Sequence, residues 1–366
     1  MSGPYLGAVG PLVVRLEGDG PERAVLEREL APLTAGASQD RAPDTVIRLV
    51  PTGEVRKLFR PKVSSAKHHM GFDDRTYFWD RPVPHLVEGL FGDGRATVTI
   101  GTSAPTPLRR AKAALSGHMN ASPVASYSLL WYLMAVRLLR AGTVFVHAGV
   151  VSRGGRARLF TGTGGSGKTS LAFELLRREG YAYLAEDFAM LGPGGTVHPS
   201  PKTLSVYDSD VRTGGDLYGR ALDHRTPLQA AVWAAQRARG RNPMIKVPVA
   251  AALPAGKLGQ SSALEHAVHV VRCDAESPRV EEVDPRELAA SAVRASMREL
   301  KHLVELLYLV GANKEPAWGY PSVADLEVAM LDVWVRALEG ARTLRLYAPF
   351  RATPAELVAP LEPFGV

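Results

Sequence analysis

Residues Gly162-Thr163-Gly164-Gly165-Ser166-Gly167-Lys168-Thr169 spell G-x-x-x-x-G-K-T, the pattern of a loop that wraps the phosphates of a nucleotide. Glycines open backbone conformations closed to other residues, so successive N–H groups can converge on phosphate oxygens. In such a loop Lys168 reaches the β and γ phosphates and the Thr169 hydroxyl ligates Mg²⁺. The helix that follows turns its positive N-terminal end toward the anion. Glycine-rich stretches also occur as plain turns, so the flanks decide. Ala157-Arg158-Leu159-Phe160-Thr161 reads as a short buried strand, and Ser170 to Arg178 has apolar residues at helical spacing with basic residues at its end. Strand, glycine loop, helix is the required order. The expected nucleotide-binding set is Gly162, Thr163, Gly164, Gly165, Ser166, Gly167, Lys168, Thr169 and Ser170.

Working outward, Gly180 closes the turn after that helix, and Tyr181-Ala182-Tyr183-Leu184-Ala185 is a short apolar strand ending in Glu186-Asp187. Phosphoryl transfer needs an anion-cradling loop, Mg²⁺ and a group that accepts a hydroxyl proton or positions the nucleophile. Two adjacent carboxylates at the end of a neighbouring strand can divide that work, one on the metal and one as base; the alternative is a pair of surface turn residues. Upstream, Ser122-Pro123 is a capping serine with proline at the first helical position. It opens a helix with Leu129, Leu130, Leu133, Val136 and Leu139 on its apolar face, ended by Gly142. Thr143 to Val151 is an apolar strand carrying His147, and Gly154-Gly155 marks a tight turn into the strand that feeds the loop.

The flanks divide the chain in two, 1–120 and 121–366. In the first part Leu12–Leu16, Thr45–Val50, Thr76–Trp79 and Ala96–Ile100 read as strands of a small sheet and Pro21–Leu30 as a helix. Ala35–Pro43 and Pro61–Asp74 read as loops. His68, His69, Asp73 and Asp74 invite a metal reading, but adjacent strand residues point to opposite faces and no i, i+4 His pair is present. In the second part, Val197–Ser200, Thr203–Tyr207, Ile245–Val249, Ala267–Arg272, Arg279-Val280 and Thr343–Tyr347 read as strands. Helices are expected from Thr226-Pro227 to Ala238, across Leu288–Leu307 behind an Asp284–Glu287 capping box, over Asp325–Leu338 and after Thr353-Pro354. Asp208–Arg220 gives no regular signal. The fold class is α/β: a P-loop core preceded by a small α+β N-terminal domain.

The 366 residues are 46% apolar and 22% charged with a net charge of +7, a soluble globular composition suited to an anionic ligand. The charge is spread rather than gathered into a run, which gives nucleic-acid binding no support. One cysteine, Cys273, excludes an intramolecular disulfide framework and a multi-cysteine zinc site; at the end of an apolar strand it is expected to be a buried thiol. No signal peptide or membrane span is read, and a cytoplasmic protein is expected. Arg239, Arg241 and Lys246 are candidate cations for a transferring phosphoryl group, with solvated surface as the plainer account.

Between Val146 and Tyr207 the sequence resembles the HPr kinase/phosphorylase family. The resemblance rests on His147-Ala148-Gly149-Val150, the loop Gly162–Thr169, the helical Leu171–Glu179, Leu184-Ala185-Glu186-Asp187, and Val197-His198-Pro199-Ser200-Pro201. It implies a P-loop fold related to phosphoenolpyruvate carboxykinase and ATP- and Mg²⁺-dependent phosphorylation of a serine or other hydroxyl. It also implies Glu186 as base, Asp187 as metal ligand with Thr169, Lys168 on the phosphates and His147 tuning the acids. The first acid is Glu where the family usually has Asp. The N-terminal part does not look like the family's, and no segment matches the one that serves hexamer formation and phosphorylase activity. The group it looks most like is the stand-alone kinase-like proteins found with ribosomally made peptide pathways. That likeness implies a peptide or small-protein acceptor, and leaves a homo-oligomer open. Two rival expectations stand beside the kinase: a P-loop NTP hydrolase, in which the acids position water, and a non-catalytic nucleotide-binding protein.

Overall fold

The structure is a computed structural model of the chain. It describes residues 4–20, 23, 26–27, 42–65, 70–79, 84–102, 134–200, 204–214, 216–223, 225–247, 249–254, 256–313 and 319–366. The architecture is mixed α/β, with mixed parallel and antiparallel sheets.

The first sheet is built from β1 (Tyr5–Val9), β2 (Leu12–Glu17), β3 (Thr45–Pro51), β4 (Val63–Ser65), β5 (Met70–Phe72), β6 (Thr76–Trp79), β7 (His85–Glu88) and β8 (Ala96–Thr102). Helix α1 (Thr52–Leu58) follows β3. Its order is β1-β2-β3-β8-β7-β6-β5-β4, with β2–β3 and β3–β8 parallel. The sheet is larger than the sequence reading allowed. Pro61–Asp74, expected as a loop, holds β4 and β5, strands too short to show a pattern of two. His68 and His69, the 120/121 boundary, the Ser122-Pro123 helix start and most of Pro21–Leu30 lie outside the described residues; of the helix behind Ser122, residues 134–140 are described.

The second sheet gathers β9 (Val144–Val146), β10 (Ala148–Arg153), β11 (Arg156–Thr161), β12 (Tyr181–Ala185), β13 (Ala189–Leu191) and β14 (Thr196–His198). Helix α2 (Lys168–Leu176) lies between β11 and β12. A two-stranded sheet, β15 (Leu204–Tyr207) with β16 (Met244–Val247), stands apart and carries α3 (Asp208–Gly214), α4 (Asp216–Asp223) and α5 (Pro227–Ala238) between its strands. Asp208–Gly214 and Asp216–Arg220 are therefore helical. The residue pattern missed them because α3 and α4 are short. Ile245–Val249 also does not run as one strand: β16 ends at Val247 and α6 (Val249–Ala252) follows.

The chain then returns to the second sheet with β17 (Ser262–Cys273) and β18 (Arg279–Glu282), followed by α7 (Pro285–Glu299), α8 (Lys301–Asn313), α9 (Val323–Ala337), β19 (Arg342–Pro349) and α10 (Pro354–Val358). Strands β11, β17 and β19 are parallel neighbours, which puts the end of β11 in the middle of the sheet. The Leu288–Leu307 helical region is made of two helices; Leu300 leaves helical geometry at φ −80°, ψ 22° and ends α7. Asp284 caps α7 by accepting from Arg286 and Glu287 N–H, but the Glu287 carboxylate takes a hydrogen bond from Arg345 at 2.6 Å. Cys273 is half-buried, not buried.

One apolar core joins the two sheets: Leu16, Ile47 and Val98 of the first share it with Phe145, Met190 and Leu191 of the second and with Leu288 and Trp334 of α7 and α9. Arg137, buried, pins the two bodies by donating to the carbonyls of Gly92 at 2.8 Å and Gly94 at 2.6 Å.

Candidate functional site

The glycine loop starts where β11 stops. Thr161 ends that strand, and its hydroxyl donates to the His147 carbonyl at 3.2 Å, tying the loop's entry to the β9–β10 junction. At Gly162 φ is +148° and a Cβ would stand 2.5 Å from the Val270 carbonyl oxygen of β17; both the conformation and the space exclude a side chain. Gly165 and Gly167 take φ of +78° and +99°. The loop closes through Ser166 N–H to Thr163 O at 3.2 Å. Gly167 then starts α2 with no side-chain cap, which leaves the first-turn N–H groups to whatever the loop holds. Helix α2 lies directly on β10: a Cβ on Gly149 would be 3.1 Å from the Lys168 carbonyl.

Lys168 is 5% exposed and donates from Nζ to the Thr163 carbonyl at 2.9 Å. Ser166 Oγ is buried and has no hydrogen-bond partner among the described residues. Thr163, Gly164 and Gly165 are exposed at the loop's crest, while Thr169 is half-buried and Ser170 exposed in the first turn of α2.

The facing wall comes from two chain segments that run antiparallel and break at the same level. Strand β9 pairs with β13 (Val146 opposite Ala189), and β10 pairs with β12 (Val150 opposite Ala185). The interruption on one side is His147, between β9 and β10; on the other it is Glu186, Asp187 and Phe188, between β12 and β13. This pairing brings the histidine and the two acids together. Asp187 holds φ of +63°, the one non-glycine residue in the left-handed region among the described residues. Phe188 N–H bonds back to the Glu186 carbonyl at 2.7 Å. Left-handed backbone at a residue other than glycine costs energy and gathers at functional turns. Glu186 is buried and Asp187 partly exposed.

His147 sits between carboxylates. Its Nε2 is 4.0 Å from Asp187 Oδ1 and its Nδ1 is 3.3 Å from Glu299 Oε1. Its backbone N–H donates to Ser296 Oγ at 3.1 Å, and its ring packs against Phe188. Glu299 and Ser296 belong to the last turn of α7. Glu299 is thus a third acid at this wall that sequence reasoning missed: nothing local distinguishes it, since the chain brings it back to His147 only through the packing of α7.

Lys168 connects the two walls electrically. Burial pulls its ammonium down to about 8 from 10.5, and the nearby carboxylates of Asp187, Glu299 and Glu186, in that order, pull the other way. On β17, opposite Thr161, His269 is pushed down to about 4 by burial and by the charges of Arg345 and Lys168, against Glu287, so its imidazole is neutral near pH 7. The guanidinium beside the loop is that of Arg272, whose Nη2 would lie 3.0 Å from a Cβ on Gly167. The sequence signal was a cation ending the apolar Val270-Val271 run. Arg239 and Arg241 are exposed at the end of α5 with no ion pair or hydrogen bond to the loop among the described residues, and the Lys246 side chain lies outside them.

Among the described residues no group of three or more His, Cys, Asp or Glu side chains could hold a metal, and no helix is long and apolar enough to cross a membrane. No protein-family model matches the chain, and no curated protein matches it.

Proposed function

We propose that the chain is an ATP- and Mg²⁺-dependent kinase with a P-loop core of the HPr kinase-like type, acting on a hydroxyl of a peptide or small protein. The observation that carries this reading is the meeting of a buried loop lysine, Lys168, with three carboxylates from two other segments, Glu186, Asp187 and Glu299. A loop that only turns the chain has no use for such a wall.

The residues fit a nucleotide. The loop offers backbone N–H groups around glycines at positive φ, an uncapped helix start, and the buried Ser166 hydroxyl lacking a partner among the described residues. They also fit Mg²⁺, which keeps several waters and takes only one or two protein carboxylates besides phosphate oxygens. Thr169 and Asp187 would hold the ion, whose contribution is to neutralise charge on the phosphates. Lys168 would exchange its bond to the Thr163 carbonyl for the β and γ phosphates. Glu186 would take the proton of the acceptor hydroxyl as that oxygen bonds to the γ phosphorus and the bond to the ADP oxygen breaks. His147, between Asp187 and Glu299, would hold the acids in place. The Glu in place of a shorter Asp sets the base one methylene further from its backbone.

Intact-mass spectrometry of serine- and threonine-bearing peptides after incubation with ATP and Mg²⁺ tests the reading. The kinase predicts acceptors heavier by one phosphoryl group, with fragmentation naming the residue. Rapid release of γ-phosphate without acceptor, and no mass gain on any peptide, would instead support the NTP hydrolase.

A further inference from the structure

Away from the glycine loop, α3 and α5 enclose a cavity of about 630 Å³ whose lining includes Asp208, Arg212, Arg225, Trp233 and Arg237. Its chemistry is organised by one buried acid. Asp208, 2% exposed at the start of α3, accepts a hydrogen bond on Oδ1 from the Trp233 indole N–H at 3.2 Å. Its Oδ2 faces two guanidinium groups, Arg212 Nε at 3.2 Å and Arg237 Nε at 3.7 Å. The third arginine is fixed in the same way: Arg225 Nε donates to the Leu222 carbonyl at 2.9 Å, and its guanidinium lies over the Trp233 ring at 5.3 Å.

Each guanidinium makes its nearest contact through Nε, the inner corner of the fork: an ion-pair contact to Asp208 for Arg212 and Arg237, and a hydrogen bond to the Leu222 carbonyl for Arg225. Among the described residues no hydrogen bond occupies the terminal Nη groups, four N–H donors on each, and the Arg212 and Arg237 side chains are 59% exposed. A salt bridge built only to satisfy Asp208 needs one arginine, and the strongest geometry presents two terminal nitrogens to the two carboxylate oxygens. Here two arginines face one carboxylate and a third lines the same cavity, so the lining carries an excess of two positive charges. Guanidinium forks held at fixed orientation match tetrahedral oxyanions, which accept paired N–H donors.

We infer that this cavity binds a phosphate monoester or similar small dianion, with Arg212, Arg225 and Arg237 as its donors and Asp208 as the positioning residue that holds two of them. None of these side chains bonds to the Gly162–Thr169 loop among the described residues, so the site does not depend on the kinase reading. Trp233 belongs to the same apolar core as Phe160 and Leu171 of the strand and helix that flank the loop.

The test uses the full-length Lys168→Ala protein, which weakens phosphate binding at the glycine loop, and follows the Trp233 indole N–H resonance, assigned through Trp233→Phe. Inorganic phosphate and free phosphoserine are titrated separately. Binding is expected to be saturable and to shift that resonance, with tighter binding of phosphoserine marking an ester ligand and equal binding marking free phosphate. Affinity should fall roughly tenfold in Arg212→Gln and in Arg237→Gln, the loss of a charge-assisted hydrogen bond. Arg237→Lys should fail to restore it, since lysine keeps the charge but not the fork. No saturable shift with either anion overturns the site, and full affinity in Arg237→Lys or in both Gln variants overturns the role given to the guanidiniums.

Discussion

The glycine loop and the acidic wall across from it are made in opposite ways. Gly162 to Leu176 is a single uninterrupted stretch, and every feature of it is decided within a few residues: glycines where φ is positive, a lysine at the helix start, an apolar helix face. The wall is assembled from β9–β10, β12–β13 and the end of α7, and its members meet only because two strand pairs break at one level and a helix returns over them. In the proposed reading, local chemistry grips an anion and tertiary assembly sets acids around it. Damage to the loop should therefore abolish gripping, and damage to the wall should spare gripping and cost reaction.

Lys168→Ala has the largest expected effect, a fall in phosphate transfer of about 10³-fold from lost charge stabilisation in a water-poor site. Transfer is read as acceptor phosphorylated per unit time. Glu186→Gln comes next, at about 10²-fold in kcat, typical of losing a general base; activity close to wild type would show that Glu186 is not the base. Gly162→Ala attacks the loop's geometry, since the new Cβ meets a backbone oxygen at a φ that side chains avoid. About 2 kcal/mol of stability should go, read as a lower denaturant midpoint.

Glu299→Gln should lower kcat by about tenfold with KM for ATP little changed, because it acts through His147 rather than on substrate. A purely structural role for Glu299 would lower the denaturant midpoint instead and leave the pH profile of kcat where it was.

A further effect is a pH slope. The Lys168 ammonium is at about 8 in the fold against 10.5 ordinarily, so between those values the unfolded chain binds more protons than the folded one. Stability contributed by this site therefore rises with pH across that window, as the penalty for burying the charge is relieved. Denaturant titrations of wild type against Lys168→Met from pH 7 to 10.5 should show the difference closing as pH rises. A difference that widens would contradict the lysine's burial.

The same contrast explains what the amino-acid sequence could tell. The strand, loop and helix at 157–176 were legible because each obeys a short-range rule, and the Gly154-Gly155 hairpin and the caps at Thr226 and Thr353 were local in the same sense. Glu186-Asp187 was legible as an acidic strand end and His147 only through a resemblance. Glu299 was not, because its role depends on where α7 stops and which strand it covers. Arg239 and Arg241 drew attention for their charge, whereas Arg272, at the end of β17 beside Gly167, needed the parallel β11–β17 pairing to be seen. Short strands and helices, β4, β5, α3 and α4, escaped because elements this short take their shape from neighbours rather than from periodicity.

Calorimetric titration of MgATP into wild type, Lys168→Ala and Glu186→Gln tests the division between the two walls most directly. Wild type and Glu186→Gln should bind with affinities within about threefold of each other, less than 1 kcal/mol, while Lys168→Ala binds at least roughly tenfold more weakly. Equal MgATP binding by Lys168→Ala and wild type, or loss of binding in Glu186→Gln comparable to that in Lys168→Ala, would contradict it.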